Sequence, residues 1–401
     1  MDKLKGRVFI VGGAVRDMLL GLEPKDVDYV VVNSSEREML ELGFEKVGAD
    51  FPVFLHPETK DEYALARAER KVGNGYHGFE VETDGVTLED DLSRRDITIN
   101  AMAMDPATGE IIDPFNGRAD LENGIIRHVS DAFVEDPVRV LRVARFAARY
   151  GFTVHPDTLK LMHELKEELK YLTAERVLLE LKKTLKESTP SIFFRVLKEA
   201  DVLDVVFPEI HALVDKTQPV NFHPEGDAFE HTMIVLDRGS NQFEKFLFLC
   251  HDLGKGVTPV EKLPNHYDHD KAGVSVVEKF CDRIRVERKW KEAAKLLTLY
   301  HMKLNKAHEM RPSKLMNIVE LLMKRNILDE AINLVKADDM IGSELTDIAV
   351  SRIELAAKVI TEVTGRVVKE KYPNVNGEQF RAVLVQERVN RFKKIQGGIN
   401  G

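Results

Sequence analysis

Two runs rich in β-branched and aromatic residues, Arg7–Val11 (RVFIV) and Val27–Val32 (VDYVVV), flank a glycine pair and a short apolar stretch. No other feature constrains the chain as much. Strand-forming runs separated by Gly12-Gly13 and a helix-like Ala14–Leu20, stopped by Gly21, predict a strand–turn–helix–strand unit. In such a unit the backbone N–H groups at the Gly13 turn point outward at the positive end of the helix. They can cradle a phosphate, with Arg16 adding a charged contact; a plain tight turn is the other reading. Thirteen residues beyond Gly13, Asp26 and Asp28 open the next strand. Residues i and i+2 of a strand share a face, and two carboxylates held there repel unless Mg²⁺ ions neutralise them. A polar strand end is the simpler reading of such a triplet. The turn and the carboxylates together are the parts of a two-metal nucleotidyl transferase.

Further strand signals near Val53–Leu55, Tyr63–Ala66, Phe79–Glu82 and Ile111–Asp113 extend an α+β region to about residue 125, with Arg70–Gly78 (RKVGNGYHG) expected as a loop. Helical periodicity then takes over. Helices are expected at 137–149, 156–170, 174–187 and 191–200, with a Pro-, His- and acid-rich boundary at Phe207–Asp227 and more helices over 228–395. Asp136-Pro137 is a strong helix start.

Along that first helix Arg139, Arg142 and Arg145 recur every third residue on one broad face, among Leu141, Val143, Ala144 and Phe146. Arginines so close to a core call for anionic or planar partners. With Asp136 they also suit a base edge, an Asp accepting from an exocyclic amine and an Arg donating to ring acceptors. Cytosine and adenine offer that pattern, whereas uracil and guanine reverse it. Asp136 as a mere helix cap on a solvated basic face is the alternative.

In order, GGAVRD, KDVDYVVV, RRDITINAMA and EDPVRVLRVARFAARYGF resemble the motifs of class II tRNA nucleotidyltransferases, the CCA-adding enzymes, densely over residues 7–155. The resemblance implies a polymerase-β-like α+β head followed by an all-α neck and body. It implies Mg²⁺ on Asp26 and Asp28, and the triphosphate at Gly13 and Arg16. It also places Arg95, Asp136, Arg139, Arg142 and Arg145 at the incoming ATP or CTP, with the 3′ end of tRNA as acceptor. Glu62 is a weak candidate for a third carboxylate.

Farther on, His231, His251-Asp252 and Asp338 follow the pattern of the HD metal-dependent phosphohydrolases. Imidazole with carboxylate suits a transition metal such as Ni²⁺, or Mg²⁺; His223, His266, His269 and His301 are weaker candidates. A CCA-adding head joined to an HD domain resembles the multifunctional bacterial subgroup, which implies 2′,3′-cyclic phosphodiesterase, 2′-nucleotidase and phosphatase activities. The expected domains are a head over 1–125, a neck and body over 126–220, an all-α HD domain over 228–345 and a helical tail over 346–401. Poly(A) polymerase is the nearest alternative, and an HD phosphohydrolase with a nucleotide-sensing head the next.

Composition sets the setting. The formal charge is −9, with 43% hydrophobic and 31% charged residues, and no uncharged apolar run long enough for a membrane span. Met1-Asp2-Lys3 leads straight into a strand run, leaving no room for a signal peptide, and two cysteines suggest a reducing cytoplasm. A monomer and a homodimer are both compatible. Acidity overall speaks against nucleic acid, but local patches decide. Residues 279–306 carry nine Lys/Arg against three acids, and 366–394 eight against three. These are candidate phosphate-tracking helices; solvated helix surfaces are the other reading.

Overall fold

A computed structural model of the chain describes residue 4 and residues 7–48, 53–71, 79–83 and 85–399. They form two compact units, Met1–Val206 and Phe207–Gly401.

The first unit opens with β1 (Val8–Val11), the helix α1 (Gly13–Leu19) and β2 (Asp28–Val31). Gly12, at φ 70°, makes the turn, a conformation open to glycine at no steric penalty. After α2 (Glu36–Glu41), the strands β3 (Glu45–Val47), β4 (Val53–Leu55) and β5 (Glu62–Leu65) follow. A separate antiparallel pair, β6 (Ala68–Lys71) and β7 (Phe79–Glu82), comes next. The helix α3 (Leu88–Ser93), with a capping box from Thr87 and Asp90, leads to β8 (Ala103–Met104) and β9 (Ile111–Ile112). The seven-stranded sheet runs β3-β4-β5-β2-β1-β8-β9, with β2 and β5 parallel and the other pairs antiparallel. Val11, Val30, Leu92 and Ala103 pack on one side of it, and Val31, Met39, Phe54 and Tyr63 on the other.

α4 (Gly117–Asn123) and β10 (Ile125–Ile126) precede α5 (Val138–Tyr150), which Gly151 ends at φ 69°. β11 (Thr153–Val154) then pairs in parallel with β10. α6 (Pro156–Glu164), α7 (Ala174–Thr184), α8 (Ser191–Glu199) and α9 (Leu203–Val206) complete the unit.

Several expectations shift. β2 begins at Asp28, so Asp26 lies in the bend before the strand, and no shared strand face joins the two. Arg70 and Lys71 belong to β6, paired with β7, so the expected loop shrinks to residues 72–78, outside the described residues. The helix expected at 156–170 stops at Glu164, with a short 3₁₀ turn at Glu168–Tyr171. Strand structure also returns after residue 126, in β11.

The second unit is helical: α10 (Pro208–His211), α11 (Ala228–Asp237), α12 (Gln242–Cys250), α13 (His269–Arg283), α14 (Arg288–Asn305), α15 (Pro312–Lys324), α16 (Leu328–Asp338), α17 (Glu344–Glu362), α18 (Gly365–Lys371) and α19 (Gly377–Ile399). Phe229, Phe246, Phe248, Leu297 and Leu334 are fully buried in its core. Among the described residues no helix is long and apolar enough to cross a membrane.

Candidate active sites

In the antiparallel register of β1 and β2, Val11 faces Asp28, so the glycine turn and the first carboxylate stand side by side. There a cavity of about 900 Å³ opens, lined by Gly13, Arg16, Asp26, Asp28, Arg95, Asp136, Arg139, Arg142 and Arg145 among others. The nine residues expected at the Mg²⁺ and the incoming nucleotide thus share one cavity. Glu62 is registered beside Asp28 on β5 but does not line it. Asp26 and Asp28 are exposed, and among the described residues neither forms an ion pair or a side-chain hydrogen bond. Seven arginines and three lysines share their cavity. Two unpaired carboxylates in such surroundings are a donor set suited to a hard cation.

The arginines differ in how firmly they are held. Arg16 is buried, bound to Asp17 at 2.7 Å and to the side-chain oxygen of Asn100, and packs beside Phe146 and Tyr150. Arg95 pairs with buried Asp91 at 3.2 Å. A Cβ on Gly12 would lie 2.7 Å from Arg95 Nη1, the far end of a side chain that can shift, so the positive φ of the turn is the stronger demand for glycine there. Arg139 donates to the carbonyls of Ala132 and Arg94, at 2.7 and 2.6 Å.

Arg142 meets Asp96 at 2.7 Å and Arg145 meets Glu180 at 2.6 Å, and both approach the Phe146 ring. These are the anionic and planar partners that a near-core arginine calls for. Burial pushes the Asp96 carboxyl up, but Arg142 and Asn100 outweigh it and hold it below the usual range. Glu180 is held low in the same way, with Arg145 overcoming its burial. Asp136 does two things: Oδ1 accepts from the Val138 N–H at 3.1 Å, and Oδ2 pairs with Arg176 at 2.7 Å. Asp96, Asn100, Arg149, Arg176 and Glu180 were not singled out from sequence. Asp96 and Asn100 fall inside the quoted RRDITINAMA string, the only signal that could have found them.

In the second unit His231 on α11, His251 just past α12, Asp252 and Asp338 at the end of α16 converge in a buried cluster. His231 Nε2 lies 2.9 Å from Asp338 Oδ1, and His251 Nε2 lies 3.1 Å from Asp252 Oδ2. Each ring is oriented from behind, His231 Nδ1 by Glu225 at 2.6 Å and His251 Nδ1 by the Phe248 carbonyl at 2.6 Å. An acceptor at Nδ1 places the proton there and leaves Nε2 as a lone pair, the arrangement of a metal-bound histidine. Both Nε2 atoms are buried without a hydrogen-bond partner. The donor set therefore fits a divalent ion. Burial opposes charging of His251, yet without an ion Asp252 and Asp338 draw a proton onto it and raise it to about 10; a cation bound there would take that proton's place and leave the Nε2 lone pair to ligate. The same contacts hold both carboxyls well below the usual range against their burial.

The weaker candidates separate. His223 shares Glu225 with His231, at 3.0 Å. His266 has both nitrogens engaged, with Thr258 Oγ1 at 2.8 Å and the Thr217 carbonyl at 3.0 Å, and is structural. His269 and His301 lie 3.1 and 3.3 Å from Asp252 Oδ1. Sequence reading missed Glu225 and Lys255, whose Nζ is buried 2.5 Å from Asp252 Oδ2. Much of the positive charge over 279–306 and 366–394 is matched locally. Arg283 pairs with Glu209, Lys291 with Asp282, Lys295 with Glu278, Lys371 with Glu387, and Arg391 with Glu362.

Comparison with known proteins places the chain in a family. Residues 8–127 match the poly A polymerase head domain, and residues 151–214 match the family described as the probable RNA and SrmB-binding site of polymerase A. The multifunctional CCA protein of Hahella chejuensis is 50% identical over 322 residues, covering 78% of this chain and 76% of that protein. The protein of the same name from Mannheimia succiniciproducens is 47% identical over 350 residues, covering 83% of each. Among solved structures, a CCA-adding enzyme in apo form aligns at TM-score 0.65 and 22% identity, covering 98% of this chain and 92% of that one. The Thermotoga maritima CCA-adding enzyme complexed with tRNA aligns at TM-score 0.65 and 21% identity, covering 98% and 91%. These structures share the fold, and the identity and coverage of the curated relatives go further: the chain belongs to the multifunctional CCA protein family.

Proposed function

We propose that the first unit adds and repairs the 3′-terminal CCA of tRNA, without a template, from CTP and ATP with release of pyrophosphate. The observation that carries this reading is the single cavity joining two unpaired carboxylates to the Gly13 turn and the arginine face of α5. Asp26 and Asp28 would hold Mg²⁺, which supplies activation of the attacking hydroxyl and neutralisation of the leaving pyrophosphate. Arg16 and Arg95, with the N–H groups of the turn, bind the triphosphate. Asp136 accepts from the exocyclic amine of cytosine or adenine, and the α5 arginines donate to the ring. For that contact the Asp136 carboxylate must share or leave Arg176.

The second unit is a phosphohydrolase acting on 2′,3′-cyclic phosphates, 2′-nucleotides and phosphomonoesters. His231, His251, Asp252 and Asp338 would hold a divalent cation, Ni²⁺ or Mg²⁺, supplying Lewis acidity for phosphoester hydrolysis. Lys255, buried beside Asp252, offers positive charge to the phosphate. Such a pairing would clear a damaged tRNA end before it is rebuilt.

The test of the transferase is incubation of tRNA lacking its 3′ end with each labelled nucleoside triphosphate, separately and together. CMP incorporation from CTP alone, followed by AMP when both are present, is expected. Incorporation of ATP alone as a long tract would instead make the enzyme a poly(A) polymerase, and no incorporation would overturn the reading.

A further inference from the structure

Much of the positive charge on the second unit is taken up by neighbouring acids. On α14, Lys291 pairs with Asp282 at 2.7 Å and Lys295 with Glu278 at 2.6 Å. One place differs. Where α14 ends and α15 begins, a groove of about 690 Å³ is lined by Lys303, Lys306, Arg311 and Lys314, with Glu309 the one acid among its described lining residues. Lys306, Arg311 and Lys314 are exposed, and among the described residues none of the three forms an ion pair or a side-chain hydrogen bond. Lys303 is matched only loosely, 3.9 Å from Asp270. A chain with a formal charge of −9 thus keeps a local surplus of cations along one groove.

The groove is braced from behind. Arg352 on α17 donates to the carbonyls of Ala307 and Met310, at 2.9 and 2.6 Å, and lies against the Phe392 ring. These bonds fix the turn that joins α14 to α15. Leu304, Ala307 and Leu315 are fully buried beneath it, so the turn keeps its apolar side inward and its cations outward. Like charges sharing one fixed groove repel, and a polyanion laid along it removes that cost. Tyr300, partly exposed, has its ring 5.0 Å from Lys303 Nζ. Cations beside an aromatic ring are the make-up of grooves that follow a nucleic-acid strand.

We propose that this groove grips the sugar-phosphate backbone of tRNA, by charge and shape and without reading its bases. This rests on the tRNA reading of the chain and deepens it: the second unit holds the RNA itself as well as the phosphoester to be cleaved. The aromatic ring favours a nucleic acid over an acidic protein segment, which would need the cations alone.

The test uses the full chain and a tRNA lacking its terminal CCA, with affinity measured by filter binding across a potassium chloride series. Lys306→Ala, Arg311→Ala and Lys314→Ala combined should weaken binding about tenfold at ~0.1 M salt and lower the slope of log affinity against log salt by roughly two to three. A control chain with Arg325→Ala, Lys336→Ala and Lys358→Ala loses the same charge from exposed positions outside the groove and should bind as the parent does. The groove variant should also raise KM about tenfold for a tRNA ending in a 2′,3′-cyclic phosphate, with kcat and the KM for free 2′,3′-cyclic AMP unchanged. Equal losses in both triple variants would reduce the effect to overall charge and overturn the groove. Unchanged affinity and slope in the groove variant would overturn it too, and an acidic protein would then be the better occupant. If the parent hydrolyses neither substrate, the hydrolase reading falls and the binding series alone decides the groove. A parent that binds no tRNA at any salt overturns the tRNA reading, groove included.

Discussion

Asp26 and Asp28 offer the most direct test of the transferase reading. Replacing either by Ala is expected to lower nucleotide addition at least tenfold while leaving tRNA binding nearly unchanged, since neither supports another side chain. Turnover above about a tenth of wild type in either variant would sink the assignment of metal-holding carboxylates. Asp136 is harder to isolate because it also caps α5 and anchors Arg176. Asp136→Ala should incorporate UTP and GTP alongside CTP and ATP, with a loss of about 1 kcal/mol from the cap. A lower melting temperature with unchanged selectivity would leave Asp136 a purely structural residue. Asp96 titrates with a known sign. Its carboxyl is pushed up by burial, but Arg142 and Asn100 outweigh this and hold it below the ordinary value of 3.8 in the folded chain. The stability it contributes is complete above that value and lost as pH falls through the depressed one. Thermal melts should show Asp96→Asn destabilised at neutral pH, with a shallower decline than wild type below about pH 4.

At the scale of elements, α5 is the hub of the first unit. Its Arg145 is buried against Glu180 on α7, and the two charges depend on one another. Glu180→Ala leaves Arg145 uncompensated and should destabilise the unit by about 3–5 kcal/mol, measurable by urea unfolding. The need of Arg145 for an anion could be read from its apolar neighbours, but not the identity of the partner. Glu180 lies 35 residues farther along and Asp96 lies 46 residues before Arg142. Tertiary closure alone brings them in. The strand ends show the same limit. Asp-x-Asp alternation places both carboxylates on one face only if both are in the strand, and the bend at Asp26 lies outside the reach of periodicity. The short β8, inside ITINAMAM, carries no separate strand signal, yet it pairs with β1 and joins β9 to the sheet. By contrast the strand–glycine–helix unit and α5 stand within a residue or two of their expected places, because turn chemistry and heptad-like spacing are local.

Over the whole molecule, the order of motifs was legible long before their geometry. Four expected segments become two compact units that divide at Val206 and Phe207, where α9 gives way to α10. Each unit holds one of the two candidate sites complete. His251→Ala or Asp252→Ala should therefore abolish hydrolysis of a 2′,3′-cyclic phosphate and leave CCA addition close to wild type, while Asp26→Ala does the converse. If both activities decline together with the melting temperature, the histidine cluster is structural and the hydrolase reading falls. The basic stretches carry less than their composition suggested, because neighbouring acids already pair with many of their lysines and arginines.

Both cysteines of the chain, Cys250 and Cys281, are fully buried, and both sit in the second unit. Burial pushes the Cys250 thiol well above its ordinary range and Cys281 up to about 12. Alkylating reagents attack the thiolate, so in the closed unit neither sulfur should react. The wild-type chain thus carries a built-in clock for the opening of one half of itself. Alkylation followed by mass spectrometry should proceed at the pace at which α12 and α13 transiently separate. Because Cys250 immediately precedes His251, saturating the histidine centre with Ni²⁺ should slow that clock by mass action.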